Sequence, residues 1–247
     1  MSSSVPRRTV LAATAAGVLA GGAPTAAAAA RDDLSFPDTR VARSAAQLVS
    51  RTQKPYLRNH SVRSYLFSRA MAAKSGRRPG RDYDDEVLFL ICVLHDMGAT
   101  SHANTSQRFE VDGADFAARF LEQHGITDSR VDTVWDGIAL HTSSGMSSSP
   151  VHARRRPPEI GIAHTGIGID VLGHPDDLPA GYAERVLAVY PRLGGIHALT
   201  EDLLKQALAD PRKAAPLTLP GEILHQRRPD LPYATWDMIL AASGWQD

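Results

Sequence analysis

Beyond residue 38 the apolar positions recur at intervals of three and four, and runs that alternate every second residue are scarce. The spacing predicts helices over residues 39–51, 56–74, 84–97, 112–124, 128–140, 159–172, 180–189 and 199–209, with a last one around 234–242. Local punctuation agrees with these bounds. Pro55 stands at a helix start, Asp84 at an N-cap, and Gly76, Gly98, Gly125 and Gly173 follow four of the segments. Two stretches, 143–158 (rich in Ser, Pro and Arg) and 211–221, read as surface loops. The other connections are short, so the expected fold is all-α, a compact helical bundle forming one domain over residues 31–247 with no internal repeat.

The first thirty residues follow a different pattern. They hold no acidic residue and run from Arg7 and Arg8 through an apolar Ala/Val/Leu stretch to Gly21, Gly22 and an alanine run. That order is the order of a signal peptide, and the paired arginines before Thr9, Val10 and Leu11 are similar to a twin-arginine export signal. Ala26, Ala28 and Ala30 offer cleavage sites. The uninterrupted apolar run from Val10 to Ala20 falls well short of the ~20 residues a membrane-spanning helix needs. The expectation is an exported protein, periplasmic or extracellular, with no membrane anchor in its mature form.

Composition narrows the function classes. The chain has 27 basic and 27 acidic residues, and removal of residues 1–30 leaves 25 basic against 27 acidic. A nucleic-acid binder would show a basic excess, so nucleic acid is not an expected partner. Cys92 is the single cysteine, which excludes an intramolecular disulfide and leaves a core or a bound ion to hold the fold. Ten histidines direct attention to the ion.

The most informative segment is 85–98. Residues Val87 to Leu94 are all apolar, which predicts a helix buried on most of its surface, and it ends in His95 beside Asp96. A buried carboxylate without a partner costs several kcal/mol. Either the pair caps the helix C-terminus or a cation compensates it. Cys92, three residues before His95 on the same helix, reads as core packing.

Upstream, His60 lies near the start of an amphipathic helix, 35 residues before His95; downstream, Asp170 interrupts an apolar helical stretch 74 residues after Asp96. A His, an adjacent His-Asp and a later Asp in this order resemble the HD-domain superfamily. Three further stretches narrow the resemblance: 108–115 (Arg-Phe-Glu-Val-Asp-Gly-Ala-Asp), 137–143 (Gly-Ile-Ala-Leu-His-Thr-Ser) and 168–173. Together they look like the cyanamide hydratase branch over roughly residues 40–200. The resemblance implies an HD-type helical bundle and metal ligands at His60, His95, Asp96 and Asp170. It also implies hydration of the carbon–nitrogen triple bond of cyanamide to urea with zinc. One departure is the export signal, since that branch is intracellular.

The chemistry of such a site agrees. Two neutral imidazoles and two carboxylates suit one divalent ion, Zn²⁺ first and Fe²⁺ or Mn²⁺ also, and such an ion lowers the pKa of bound water to about 7. The hydroxide so formed needs no serine or cysteine nucleophile, and the expected substrate is a small nitrile-like molecule. Hydration also needs a proton delivered to nitrogen. His102, just after the metal helix, Glu110, near a helix start, and His141, at the end of an apolar stretch, are the candidate catalytic residues.

His164 shares a predicted helix with Asp170, but at about 100° per residue six residues turn them roughly 240° apart, so it is expected not to be a ligand. Histidines 124, 152, 174, 197 and 225 fall near predicted termini or loops, and the basic run 154–156 reads as a solvated loop. Two other classes fit parts of the pattern. An HD-type phosphohydrolase would use the same ligands, though no Gly-rich phosphate loop is present. A non-catalytic helical binding protein would close a structural metal with its ligands.

Overall fold

Asp84 starts the central buried helix: its carboxylate accepts from the amides of Glu86 and Val87, and Asp85 and Glu86 place negative charge in the first turn. This helix is one of eleven α-helices among residues 34–245, which are the residues the computed structural model describes, and no strand occurs among them. In chain order they are α1 (Arg40–Thr52), α2 (Pro55–Lys74), α3 (Asp85–Leu94), α4 (Phe109–Gln123), α5 (Arg130–Ala139), α6 (Pro150–Arg155), α7 (Pro158–Leu172), α8 (Tyr182–Val189), α9 (Gly195–Ala209), α10 (Leu219–Arg227) and α11 (Trp236–Ala241). The all-α architecture expected from the periodicity is the observed one. The predicted export signal, residues 1–30, lies outside the described residues. Among those residues no helix is long and apolar enough to cross a membrane.

Every residue of α3 from Val87 to Leu94 is buried, as its unbroken apolar run requires. Around it pack α1, α2, α5 and α7, while α4 lies against α5. The α2–α7 contact is the tightest. A Cβ on Gly166 would lie 2.1 Å from Ser68 Oγ and 2.3 Å from the Ser64 carbonyl oxygen, so α7 can approach α2 only because this position has no side chain. Gly98 plays the same part beneath α4, where a Cβ would meet the Phe109 carbonyl oxygen at 1.9 Å.

Several boundaries differ from the sequence expectation for identifiable reasons. The predicted 84–97 helix stops at Leu94, because His95 Nδ1 donates to the Cys92 carbonyl that a continuing helix would offer to the Asp96 amide. A 3₁₀ turn, Met97–Ala99, follows. Helix α4 begins at Phe109, before the expected 112; Asp112 accepts from the Thr105 and Gln107 amides and pairs with buried Lys213. The expected loop 143–158 contains α6, started by Ser149 and Pro150. Helix α10 was not anticipated; the Thr218 hydroxyl accepts from the Gly221 amide at its start. Helix α9 starts a turn early, at Gly195, after Gly194 takes φ 89°.

Candidate metal centre

Helices α2, α3 and α7 meet where His60, His95, Asp96 and Asp170 come together, all four no more than 5% exposed. His60 sits in the second turn of α2, and His95 and Asp96 form the turn that ends α3. One ligand atom each from His60, His95 and Asp96 lies within 4.8 Å of the others. His60 Nε2 is 3.2 Å from His95 Nε2, and Asp96 Oδ2 is 3.5 Å from the first and 3.1 Å from the second.

Asp170 stands on the other side of the His60 ring. Its Oδ2 accepts from His60 Nδ1 at 2.6 Å and from Arg63 Nη2 at 2.7 Å. Its Oδ1 accepts from Arg63 Nε at 2.7 Å and from Arg192 Nη1 at 3.0 Å. Arg63 is fully buried and also donates to the Tyr190 and Pro191 carbonyls, so the segment before α9 is tied to the same carboxylate. Sequence reasoning missed both arginines. Arg63 carried a legible signal, a cation three residues after His60 on the same helical face; Arg192 carried none, since only the tertiary fold brings its loop to α7.

The hydrogen bonds settle where the imidazole protons are. A carbonyl can only accept, so His95 Nδ1, 2.7 Å from the Cys92 oxygen, carries the proton and leaves a lone pair on Nε2. The same holds for His141, whose Nδ1 lies 2.6 Å from the Ile138 oxygen. Burial opposes ionisation of Asp170, but the bonds from His60 and Arg63 outweigh it and hold the carboxyl well below the usual range. Asp170 is thus an acceptor too, His60 Nδ1 is the donor, and His60 Nε2 presents a lone pair to His95 Nε2. With both imidazoles neutral, two lone pairs and the Asp96 carboxylate converge, and buried Asp96 Oδ2 has no hydrogen-bond partner.

A divalent cation fits that arrangement. The titration of the cluster points the same way. Burial pulls His95 down, yet the Asp96 charge raises its proton affinity above the ordinary value; burial pushes Asp96 up, yet positive charge on the neighbouring His95 holds it well below. Both directions are those of a site that favours positive charge. Imidazole nitrogen and carboxylate oxygen are ligands for zinc, iron or manganese.

The cluster forms one wall of a cavity of about 210 Å³. His141, Thr142, Ser144 and His164 continue the polar side, and Phe109, Ile167, Ile196, Leu199 and Leu219 lie among the apolar ones. His141 Nε2 is 3.7 Å from Asp96 Oδ1, and burial together with the neighbouring His95 lowers its pKa to about 3. His164 donates from Nε2 to the Gly137 carbonyl at 2.8 Å and takes no part in the three-residue cluster. Glu110 lies fully buried behind the wall, where its Oε1 accepts from the Thr142 hydroxyl. The structure does not bring His102 to the cavity; it is exposed, with its ring edge on Phe116 at 5.5 Å. Burial raises the Cys92 thiol to about 12, and no cavity atom belongs to it.

Residues 57–170 match the HD domain family, a match that runs from just before His60 to Asp170 itself. No curated protein matches the chain. Proteins with HD domains are typically metal-dependent hydrolases, and the buried His60–His95–Asp96 group is able to hold a metal ion.

Proposed function

We propose that this HD-domain protein is a metal-dependent hydratase that adds water to a small nitrile-like substrate, cyanamide being the type case, to give an amide or urea. The observation that carries the reading is the proton inventory of the cavity wall. With His60, His95 and Asp96 turned to an ion, the rest of the wall offers the Nε2 lone pair of His141 and the hydroxyl of Thr142, whose proton is given to Glu110. Among the described residues no Lys or Arg lines the cavity. A phosphate ester brings only acceptor oxygens and negative charge to such a wall. A small molecule with N–H donors matches it.

Size supports the same reading, since about 210 Å³ lies below the ~300–1,000 Å³ of pockets that hold drug-sized ligands. His60, His95 and Asp96 would hold the ion; Asp170, the fourth ligand the resemblance implies, lies on the Nδ1 side of His60, outside that three-residue group, and orients the His60 ring. When bound, the ion would supply a water-derived nucleophile at neutral pH. His141 has its free Nε2 at the cavity and is neutral at pH 7. It takes the proton that water loses as its oxygen bonds to the nitrile carbon. As imidazolium it returns that proton to the nitrogen that gains the electron pair. The imidic acid so formed tautomerises to the amide or, from cyanamide, to urea.

Purified metal-loaded protein assayed against cyanamide, small nitriles, isocyanides and phosphate esters tests the proposal. Turnover of the nitrile-like set, with one oxygen from labelled water in the product, is expected. Cleavage of phosphate esters with no nitrile turnover would replace the hydratase by a phosphohydrolase.

A further inference from the structure

A second cavity of about 210 Å³ lies where the C-terminal end of α2, helix α6 and the first half of α7 meet. On α7 its lining is Pro158, Gly161, Ile162 and Thr165, whereas the metal cavity takes His164, Ile167, Gly168 and Val171. The two sets belong to different faces of the helix, and no residue lines both cavities. Met71, Ala72 and Ile162 are among the apolar groups of the second one. Its polar residues are Ser75, Arg77, Ser147, His152 and Thr165, with no Asp or Glu.

The charge around it is one-sided. Ala153 of α6 lines the cavity, and Arg154, Arg155 and Arg156 follow it in the chain. Arg156 pairs with Asp136 at 3.6 Å, but among the described residues no carboxylate pairs with Arg77, Arg154 or Arg155. His152 adds a second observation. Four buried side-chain polar atoms lack a hydrogen-bond partner among the described residues: Asp85 Oδ1, Asp96 Oδ2, Glu110 Oε2 and His152 Nε2. The three carboxylate oxygens each face a basic group, Arg69 at 3.7 Å, His95 at 3.1 Å and Arg108 at 3.8 Å, and the orphan on Asp96 belongs to the metal cluster. His152 Nε2 has no such neighbour, and a buried polar atom left unpaired calls for a partner from outside the chain.

We propose that this cavity is a second ligand site, which takes a small organic anion, a carboxylate or phosphate head on a short apolar body. Arg77 supplies the fixed charge, His152 the ring N–H, and Met71, Ala72 and Ile162 the apolar contact. A guanidinium is always charged and binds either head group through paired N–H donors. A cation finds no carboxylate here. The site is independent of the hydration reading.

The test uses the full metal-loaded protein labelled with ¹⁵N and titrated with benzoate, phenyl phosphate, benzyl alcohol and benzylammonium. Benzoate or phenyl phosphate should shift the amides of Ala72, Ser75, Gly161 and Thr165, with benzyl alcohol about 10-fold weaker or more and benzylammonium without effect. The tighter of the two anions names the head group, and either sustains the site. Arg77→Gln should weaken anion binding about 10-fold, and His152→Phe, which keeps a ring and removes its nitrogens, should weaken it too. Gly161→Leu, at a position whose Cβ meets nothing within 4 Å, should fill the cavity and abolish these shifts while the melting temperature and any anion-induced shifts at His141 and Gly168 stay as in the parent. Benzyl alcohol binding as tightly as the anions, shifts confined to the metal cavity, or no binding by either anion overturns the inference.

Discussion

His60 donates from Nδ1 to Asp170 Oδ2 across 2.6 Å, and this bond decides which of its ring nitrogens faces His95. Asp170 in turn is gripped by Arg63, a fully buried cation with no other carboxylate partner among its hydrogen bonds. Asp170→Asn should therefore do two things: reduce bound metal and destabilise the metal-free protein by about 3–5 kcal/mol, because Arg63 loses its countercharge in the core. Asp96→Ala should reduce bound metal without that loss of stability. Elemental analysis and thermal melts of the stripped proteins separate the two effects. An unchanged melting temperature in Asp170→Asn would mean that the Arg63 pairing carries no stability.

His141 predicts a pH dependence. Its folded pKa of about 3 lies below the ordinary 6.5, so between those values the unfolded chain binds a proton that the folded chain does not. The contribution of His141 is undiminished above pH 6.5 and falls as the pH is lowered, by about 1.4 kcal/mol per unit for one proton, whereas His95, raised by Asp96, contributes below pH 6.5 and loses that contribution as the pH rises. His164, lowered chiefly by burial, adds in the same direction. Asp96 and Asp170 have depressed values and contribute only below pH ~4, where protonation removes their stabilisation. Urea unfolding of the metal-free protein from pH 4.5 to 6 should therefore show a slope that His141→Gln reduces by about one proton. A slope unchanged by that substitution would place the coupling elsewhere.

Gly166→Ala should be among the most damaging single-methyl additions in the chain. The new Cβ would meet Ser68 Oγ, the Ser64 carbonyl and the Ser68 amide nitrogen at 2.1–2.5 Å, and the backbone atoms cannot rotate away. Separation of α7 from α2 should cost about 1–3 kcal/mol or more and carry Asp170 away from His60. Gly161→Ala and Gly168→Ala, on the same helix with nothing within 4 Å of their Cβ positions, are the controls that should leave the melting temperature nearly unchanged.

Export is a separate proposal from the sequence. The mature protein should begin between about residues 27 and 32, after the charged, apolar and alanine-rich parts of the signal have passed. N-terminal sequencing of secreted material reads this directly. Arg7→Lys with Arg8→Lys should strongly reduce export, and recovery of an intact Met1 from a purely cytoplasmic pool would end the proposal.

Much of the fold was legible because helix periodicity, N-caps and prolines act within a few residues. The apolar stretch 87–94 required a buried helix, and His95 beside Asp96 at its end announced buried charge. Of the misplaced boundaries, some were decided by local bonds, as at the end of α3 and the starts of α6 and α10, and the surroundings of Asp112 by a distant partner. Asp112 reads as the start of a helix until Lys213, some hundred residues later, is seen to pair with it. His102, just after the metal helix, reads as a candidate catalytic residue until its ring is found on Phe116.

By itself the sequence determined the helical class, the buried His-Asp turn and the residue types able to ligate a metal, because each depends on local spacing. The orientations of His95 and His141 belong almost to that level, since each donates to a carbonyl three residues back at a helix end. Only the tertiary structure decided that His60 turns its Nε2 inward and that Asp170 stands behind it, flanked by Arg63 and Arg192. It also decided that Thr142 surrenders its proton to Glu110. The physical reason is the same each time. Where a proton sits depends on the partner across the hydrogen bond, and these partners come from helices that only folding brings together.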